Sequence, residues 1–298
     1  MAESKHVSGF VSILGRPNVG KSTLLNKMLG TKVAIVSDKP QTTRTTIQGV
    51  LTEPGAQVVF LDTPGIHRPD TTINRKLAQD VAGALEGRDL FLFMADCRKR
   101  IAIEDERAVE LLARVKTPTL LVLNKIDLLK DKARMLPVIE QYGKLAKFED
   151  FLPVSALTGD GLNELKAAII SRLPEGPNYF PEDEITDQPE RFFVAEVIRE
   201  KVLLITRQEV PHSVMVELEQ WEESGRLLKV SAAILVEKGG QKGIVIGAKG
   251  ARLKQIGTEA RLELEEALDR RIYLELFVKV RKGWREKPAF LREIDWKS

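Results

Sequence analysis

Short apolar runs recur along the first half of the chain, separated by charged stretches with helical spacing. Val7–Gly15 reads as a strand feeding a glycine turn, and Lys21–Leu29 as a helix with Leu24, Leu25 and Met28 on its apolar side. Three further runs, Val58–Leu61, Leu90–Ala95 and Thr119–Leu123, carry almost no polar residue and read as strands buried on both faces. Between these runs and after them, Asn74–Leu85, Asp105–Val115 and Met135–Lys147 read as helices, and Phe151–Ser155 with Leu162–Leu173 adds a last strand and helix. Strands alternating with helices predict an α/β fold built on a mainly parallel sheet flanked by helices.

The pattern breaks over 174–190, where four prolines and six acidic residues fall together. Proline removes backbone donors and carboxylates resist burial, so this stretch reads as a connection between folded units. The chain divides accordingly into a first domain over 1–176, a linker over 177–190 and a second domain over 191–298. In the second domain Phe192–Ile205 reads as a helix. Val214–Leu218 and Lys229–Glu237 read as the strands of a hairpin whose connection spans Trp221–Gly225. A glycine-rich stretch over 239–250, with a short helix in its first part, precedes a helix over 251–269 with Leu253, Ile256, Ala260, Leu264 and Leu268 on one face. In a final strand Ile272, Leu274, Leu276, Val278 and Val280 alternate with Tyr273, Glu275, Phe277 and Lys279.

Composition changes this picture only locally. A chain of 298 residues can bury two cores, and its 43% hydrophobic and 30% charged content is that of an ordinary globular protein. With Cys97 the sole cysteine, no disulfide forms within the chain, and the polar N-terminus lacks the apolar run of a secretory leader. The apolar runs are too short to span a bilayer. A soluble protein of a reducing compartment is expected. The net charge of +3 singles out no partner, but residues 238–285 hold 12 Lys/Arg against 6 Asp/Glu, while 179–190 hold five acids and no base. The basic segment is a candidate anion-binding surface.

Gly15-Arg16-Pro17-Asn18-Val19-Gly20-Lys21-Ser22 fits G-x-x-x-x-G-K-[ST] between a predicted strand and a predicted helix. Such a turn aims backbone N–H groups and the positive end of a helix dipole at phosphates. Lys21 can neutralise the β- and γ-phosphates, and the Ser22 hydroxyl can ligate Mg²⁺. Asp62-Thr63-Pro64-Gly65 ends a buried run, so its carboxylate can hold Mg²⁺ through water and the Gly65 N–H can report on the γ-phosphate. Between the two lies the polar segment Lys39–Thr46, where a threonine can close onto Mg²⁺ and the γ-phosphate; Thr43 is the preferred ligand and Thr42 its rival. Lys21, Thr43 and Gly65 are the groups expected to act on the transferring phosphoryl. Asn124-Lys125-Ile126-Asp127 follows another buried run, and a carboxylate there can accept from guanine N1–H and the 2-amino group. Adenine lacks that donor pair, and a site built on specific hydrogen bonds rejects it strongly. Lys125 can lay its stem on the base, Asn124 can tie loops together, and Ser155-Ala156 can contact the guanine oxygen through the backbone. Together these elements specify GTP and GDP rather than ATP.

These motifs resemble those of the translation-factor-like GTPases. Pro17–Thr23, Gln41–Arg44, Asp62–His67 and Tyr179–Asp183 are similar to the Era family, bacterial GTPases with a C-terminal KH domain, and the likeness runs along nearly the whole chain. The resemblance implies a P-loop GTPase domain followed by a smaller α+β KH domain of type II. It further implies GTP hydrolysis, binding of 16S ribosomal RNA near its 3′ end, a role in maturing the small ribosomal subunit, and a cytoplasmic monomer with peripheral association at the inner membrane. Asn18 resembles the asparagine by which related GTPases hold K⁺, so K⁺ activation is a hypothesis beside Mg²⁺. One departure matters. Where Ras-type enzymes carry a water-orienting glutamine this chain has Ile66, which cannot hydrogen-bond to water, so slow unassisted hydrolysis is expected. His67 reads as a switch residue rather than a general base.

In the second domain Ile246-Gly247-Ala248-Lys249-Gly250 contains a G-x-x-G loop before a helix. In KH folds such a loop lets a nucleic-acid backbone approach closely, and the adjoining apolar groove holds unstacked bases. Lys249, Arg252 and Lys254 lie in or just after it, and Lys242, Lys279, Arg281, Lys282 and Arg285 can extend a phosphate-facing surface. Leu253 and Ile256 can serve as core and groove floor together, and Trp284 can stack on a base, though packing on or capping the final strand is the preferred reading. A rival reading gives this domain a protein or membrane surface to bind. The basic G-x-x-G segment favours RNA, and no segment shows the basic, bulky-apolar pattern of a membrane-surface helix.

Overall fold

The structure, a computed structural model, describes residues 6–39, 41–65, 81, 83–112, 115–206, 210 and 214–286. The described residues form two compact units. The first takes in residues up to Ala34 and from Thr43 to Asp187; the second takes in Ile35–Thr42 and the chain from Gln188 onward.

In the first unit β1 (Val7–Leu14), α1 (Lys21–Leu29), β2 (Ile47–Glu53), β3 (Ala56–Asp62), β4 (Leu90–Asp96), α2 (Ile103–Leu112), β5 (Thr119–Asn124), α3 (Leu136–Leu145), β6 (Asp150–Val154) and α4 (Leu162–Ile170) follow in order. The sheet runs β2-β3-β1-β4-β5-β6. Its neighbours are parallel except β2 and β3, an antiparallel pair. Every residue of β3, β4 and β5 is buried, which is why their sequences are nearly unbroken apolar runs. On one face Phe91, Phe93, Leu121 and Leu123 pack against Val109 and Leu112 of α2 and Tyr142 of α3. The polar residue closing each of three strands, Asp62, Asp96 and Asn124, falls at the carboxyl edge of the sheet, where ligands of open α/β folds bind.

Strand β2 has no counterpart among the predicted strands. It is an edge strand, and Gln48 and Gly49 interrupt the apolar run that would have announced it. The helix predicted over Asn74–Leu85 lies largely outside the described residues. The proline-rich stretch is docked rather than free over much of its length. Gln57 Oε1 accepts from the Tyr179 and Phe180 N–H groups (2.7 and 3.0 Å), and its Nε2 donates to the Phe180 carbonyl (2.9 Å). Val50 N–H then donates to the Ile185 carbonyl (2.7 Å), and the Thr186 hydroxyl to the Gln48 carbonyl (2.7 Å).

The second unit orders its elements α5 (Glu190–Thr206), β7 (Met215–Ser224), β8 (Leu227–Val236), α6 (Gly239–Ile246), α7 (Ala251–Leu268) and β9 (Arg271–Val280). In the sheet β7-β8-β9 the first pair is antiparallel and the second parallel, with Leu227 opposite Arg271 and Val236 opposite Val280. A parallel pair needs a crossover, which α6 and α7 supply. Val194, Val197 and Ile198 of α5, Ile256, Ala260 and Leu264 of α7, and Val230, Ala232 and Ile234 of β8 share one core. Trp284 is wholly buried and covers Met215, Ala233 and Leu235. The hairpin turn differs from the expected Trp221–Gly225. Strand β7 runs through Trp221 to Ser224, and the chain turns at Gly225-Arg226 with Gly225 at φ 57°. The polar end of this ribbon reads as loop because its residues are largely exposed.

Candidate nucleotide and nucleic-acid sites

Strand β1 delivers Gly15 to the sheet edge at φ 144°, and a Cβ there would lie 2.4 Å from the Met94 carbonyl oxygen, so only glycine fits. The loop then feeds α1, whose first residue Lys21 is buried and donates to the carbonyls of Gly15 (3.2 Å) and Arg16 (3.3 Å). Burial lowers the Lys21 ammonium to about 8, partly opposed by the Asp62 carboxylate. The Ser22 hydroxyl donates to Asp62 Oδ2 (2.6 Å), and Thr43 Oγ1 lies 2.9 Å from Ser22 Oγ and 3.4 Å from Asp62 Oδ2. Thr42 turns elsewhere, its hydroxyl donating to the Lys39 carbonyl (2.6 Å). Asp62 Oδ1 is buried and makes no hydrogen bond among the described residues, and burial pushes this carboxyl up to about 6. Two hydroxyls, one orphaned carboxylate oxygen and a neighbouring ammonium fit a small, hard, oxygen-seeking dication beside phosphate.

Thr63 donates to the Ile13 carbonyl (2.8 Å), fixing the start of the D-x-x-G turn, in which Pro64 is buried. Gly65 lies against the phosphate loop so closely that a Cβ would stand 2.7 Å from Pro17 Cγ and 2.9 Å from Pro17 N. Ile66 and His67 lie outside the described residues, as does the Arg285 side chain.

At the end of β5, Asn124 Nδ2 donates to the carbonyl of the buried Val19 (2.7 Å) while its Oδ1 accepts from the Ala156 N–H (2.9 Å). One amide thus ties the phosphate loop to the Ser155-Ala156 loop. Lys125 Nζ donates to the Asn18 carbonyl (2.8 Å), and Ile126 is buried in the core. Asp127 is exposed, with Oδ1 accepting from the Ser155 hydroxyl (2.6 Å), which orients the carboxylate.

In the second unit Gly247 and Gly250 both have positive φ (71° and 80°), Lys249 lies between them at φ 50°, and Gly250 caps α7. Arg252 folds back to donate to the Ile244 carbonyl (3.0 Å). Beside this loop a groove of about 410 Å³ is lined by Gly250, Leu253, Lys254, Gly257, Thr258, Arg261, Leu274 and Leu276. Ile246 and Ala248 flank Gly247 without lining it. The dual role expected of Leu253 and Ile256 holds for one of them: Leu253 lines the groove and packs against the core, whereas Ile256 is fully buried. The wider basic surface is smaller than its residue count implies. Lys279 pairs with Glu219 and Arg281 with Glu217, and neither lines the groove.

The family model described as a 50S ribosome-binding GTPase matches residues 10–125, and that of the KH domain matches 209–285. The GTPase Era of Geobacter metallireducens is 47% identical over 298 residues, covering 99% of this chain and all of its own. This chain belongs to the Era GTPase family. The GTPase Era of Staphylococcus haemolyticus is also 47% identical, over 98% of both chains. Among solved structures, a variant Era of Aquifex aeolicus bound to GDP and aluminium fluoride is 41% identical, with a TM-score of 0.94 over 97% of this chain and 99% of its own. An Era complex with MgGDPNP and nucleotides 1506–1542 of 16S ribosomal RNA gives the same identity, TM-score and coverage. The chain is therefore an Era-family GTPase, with a P-loop domain of mainly parallel sheet followed by a KH domain.

This Era-family chain also carries site residues that no motif announces. Asp96, buried at the end of β4, takes Arg98 through both oxygens (2.9 and 2.8 Å) and Lys125 at 3.2 Å. Burial alone would raise its carboxyl, but the Arg98 and Lys125 contacts outweigh burial and hold it well below the usual carboxylate range. The signal available was position: an acid closing a buried parallel strand, as Asp62 does. Gly257, Arg261, Leu274 and Leu276 of the groove were visible only as helix and strand periodicity. Among the described residues no helix is long and apolar enough to cross a membrane.

Proposed function

We propose that this GTPase holds MgGTP between Gly15–Ser22, Thr43, Asp62–Gly65, Asn124–Asp127 and Ser155-Ala156, and carries 16S ribosomal RNA on Gly247–Gly250 with Lys249, Arg252 and Lys254. The observation that carries the reading is the convergence of Ser22, Thr43 and Asp62 beside the buried Lys21, with Asn124 bridging that loop to the base-binding segments. When bound, Mg²⁺ neutralises the β- and γ-phosphate oxygens. Lys21, held by the Gly15 and Arg16 carbonyls, turns its remaining N–H to phosphate oxygens, Thr43 closes the switch, and Gly65 presents its N–H across Pro17. Asp127, held on one oxygen by Ser155, accepts from guanine with the other.

Ile66 supplies no hydrogen bond to water, so turnover is slow until a partner or ion assists. K⁺ held at Asn18 is one such aid; a rate in NaCl equal to that in KCl would exclude it. The nucleotide chemistry belongs to residues 1–176 and the RNA contact to 191–298, joined by 177–190, in a cytoplasmic monomer that assists small-subunit maturation and associates peripherally with the inner membrane. The deciding experiment is titration with the 3′-terminal 16S RNA segment of wild type and Gly247→Asp/Gly250→Asp. Tight binding lost in the variant supports the RNA reading. Equal affinity in both, or pelleting with vesicles without any RNA affinity, would replace it by the protein- or membrane-binding alternative.

A further inference from the structure

Contacts from the nucleotide motifs tie the phosphate loop to the rest of the first unit. Gly65 packs on Pro17, Asn124 donates to the Val19 carbonyl, and Lys125 donates to the Asn18 carbonyl. One further contact belongs to no motif. The Arg16 side chain is 13% exposed and ends on Asp105 of α2, Nη1 lying 3.2 Å from an Oδ2 whose side chain is wholly buried. We propose that Asp105 is a positioning residue for GTP hydrolysis, fixing through Arg16 the carbonyl oxygens that aim Lys21.

The argument is geometric. Lys21 Nζ rests on two carbonyls, those of Gly15 and Arg16, so wherever the start of the loop goes the ammonium goes too. The Arg16 side chain sets that position from the other side. Asp105 Oδ2 also accepts the Ala102 N–H (2.9 Å), which locks the carboxylate to the first turn of α2. The buried Tyr142 hydroxyl faces the same carboxylate, a neutral partner that carries no compensating charge. Arg16 is thus the only cation paired with this carboxylate among the described residues. Swinging it away would leave a buried charge uncompensated, so the pair holds one geometry. Arg16 therefore acts in the loop through its backbone, while its guanidinium is engaged behind it. A displacement of Lys21 by a fraction of an ångström barely alters ground-state binding but weakens stabilisation of charge developing on the phosphoryl oxygens.

The proposal rests on Lys21 serving the phosphates as above, so Lys21→Ala is measured alongside. Full-length Arg16→Met, Arg16→Lys, Asp105→Asn and the double variant Arg16→Met/Asp105→Asn are compared for GTP turnover, GDP affinity and thermal unfolding. In Arg16→Met and Asp105→Asn, kcat should fall about tenfold while the GDP Kd stays within about threefold. Arg16→Lys should recover most of the rate, and the double variant should lose no more than either single one, because both break one unit. Losses that multiply in the double variant would overturn the proposal. So would a lowered melting temperature with kcat per folded molecule unchanged, which would make the pair purely structural. Parent-like turnover by Lys21→Ala would overturn the phosphate-loop reading itself, a failure distinct from either of these.

Discussion

Gly15–Ser22 and Gly247–Gly250 both set glycines before a helix, yet the first loop is enclosed and the second lies open. Around Gly15 the Met94 carbonyl stands within collision distance of a Cβ, Lys21 is 7% exposed, and side chains from β5 and α2 reach in. Around Gly250 a Cβ would meet nothing within 4 Å, and the neighbouring groove opens toward solvent between α7 and β9. An enclosed loop can select a ligand by exact shape and strengthen its charges by excluding water. An open one offers charge and close approach to a long polymer, and leaves selection to the bases that settle in the groove.

The largest test of this contrast is Lys21→Ala, which should lower GTP turnover by roughly 100-fold, about 3 kcal/mol of transition-state stabilisation, in a phosphate-release assay. Next, Gly15→Ala should destabilise the chain by on the order of 3 kcal/mol, because backbone must move. Gly250→Ala, at a positive φ in open space, should cost only about 1 kcal/mol. Equal losses in denaturant unfolding would erase the distinction. The third test uses pH. Burial raises the folded Asp62 carboxyl to about 6, above the ordinary 3.8, so protonation below that pH relieves the buried charge and also opposes the dication. The gain in melting temperature on adding MgGDP should therefore shrink from pH 7 to pH 5, and a constant gain would count against the cradle described. Smallest, Lys249→Ala should weaken RNA binding a few-fold regardless of sequence and reduce the salt slope by about 1 in anisotropy titrations.

The enclosed site was also the more legible one. Phosphate and guanine recognition demand particular residue types at fixed spacing, so Gly15–Ser22, Asp62–Gly65 and Asn124–Asp127 can be read without coordinates. Thr43 and Thr42 could not be separated that way, because either hydroxyl could reach; the backbone turns Thr43 toward Ser22 and sends Thr42 to Lys39. Asp96 and Asp105 stayed hidden because their partners are distant in sequence and become neighbours only once β4, β5 and α2 are assembled. In the second unit the helix and strand periodicities placed Ile256, Ala260, Leu264, Ile272 and Val278 in the core, whereas Val280 at the end of β9 is exposed. Leu253 and Ile256 both read as core and groove floor, but Leu253 alone does both and Ile256 is core, since neighbouring helical positions differ by a rotation that packing decides.

The docking of Ile185 and Thr186 on β2 has a consequence for how copies of this chain behave toward one another. Strand β2 ends the six-stranded sheet, and an uncovered edge is a template on which a second molecule can add its own strand. Here the Val50 N–H and the Gln48 carbonyl on that edge are already taken by Ile185 and Thr186. Prolines nearby cannot extend a ladder, and Glu182, Asp183, Glu184 and Asp187 set like charges where two such edges would meet. The composition that marks this stretch as a connection therefore also makes it a guard against edge-to-edge aggregation.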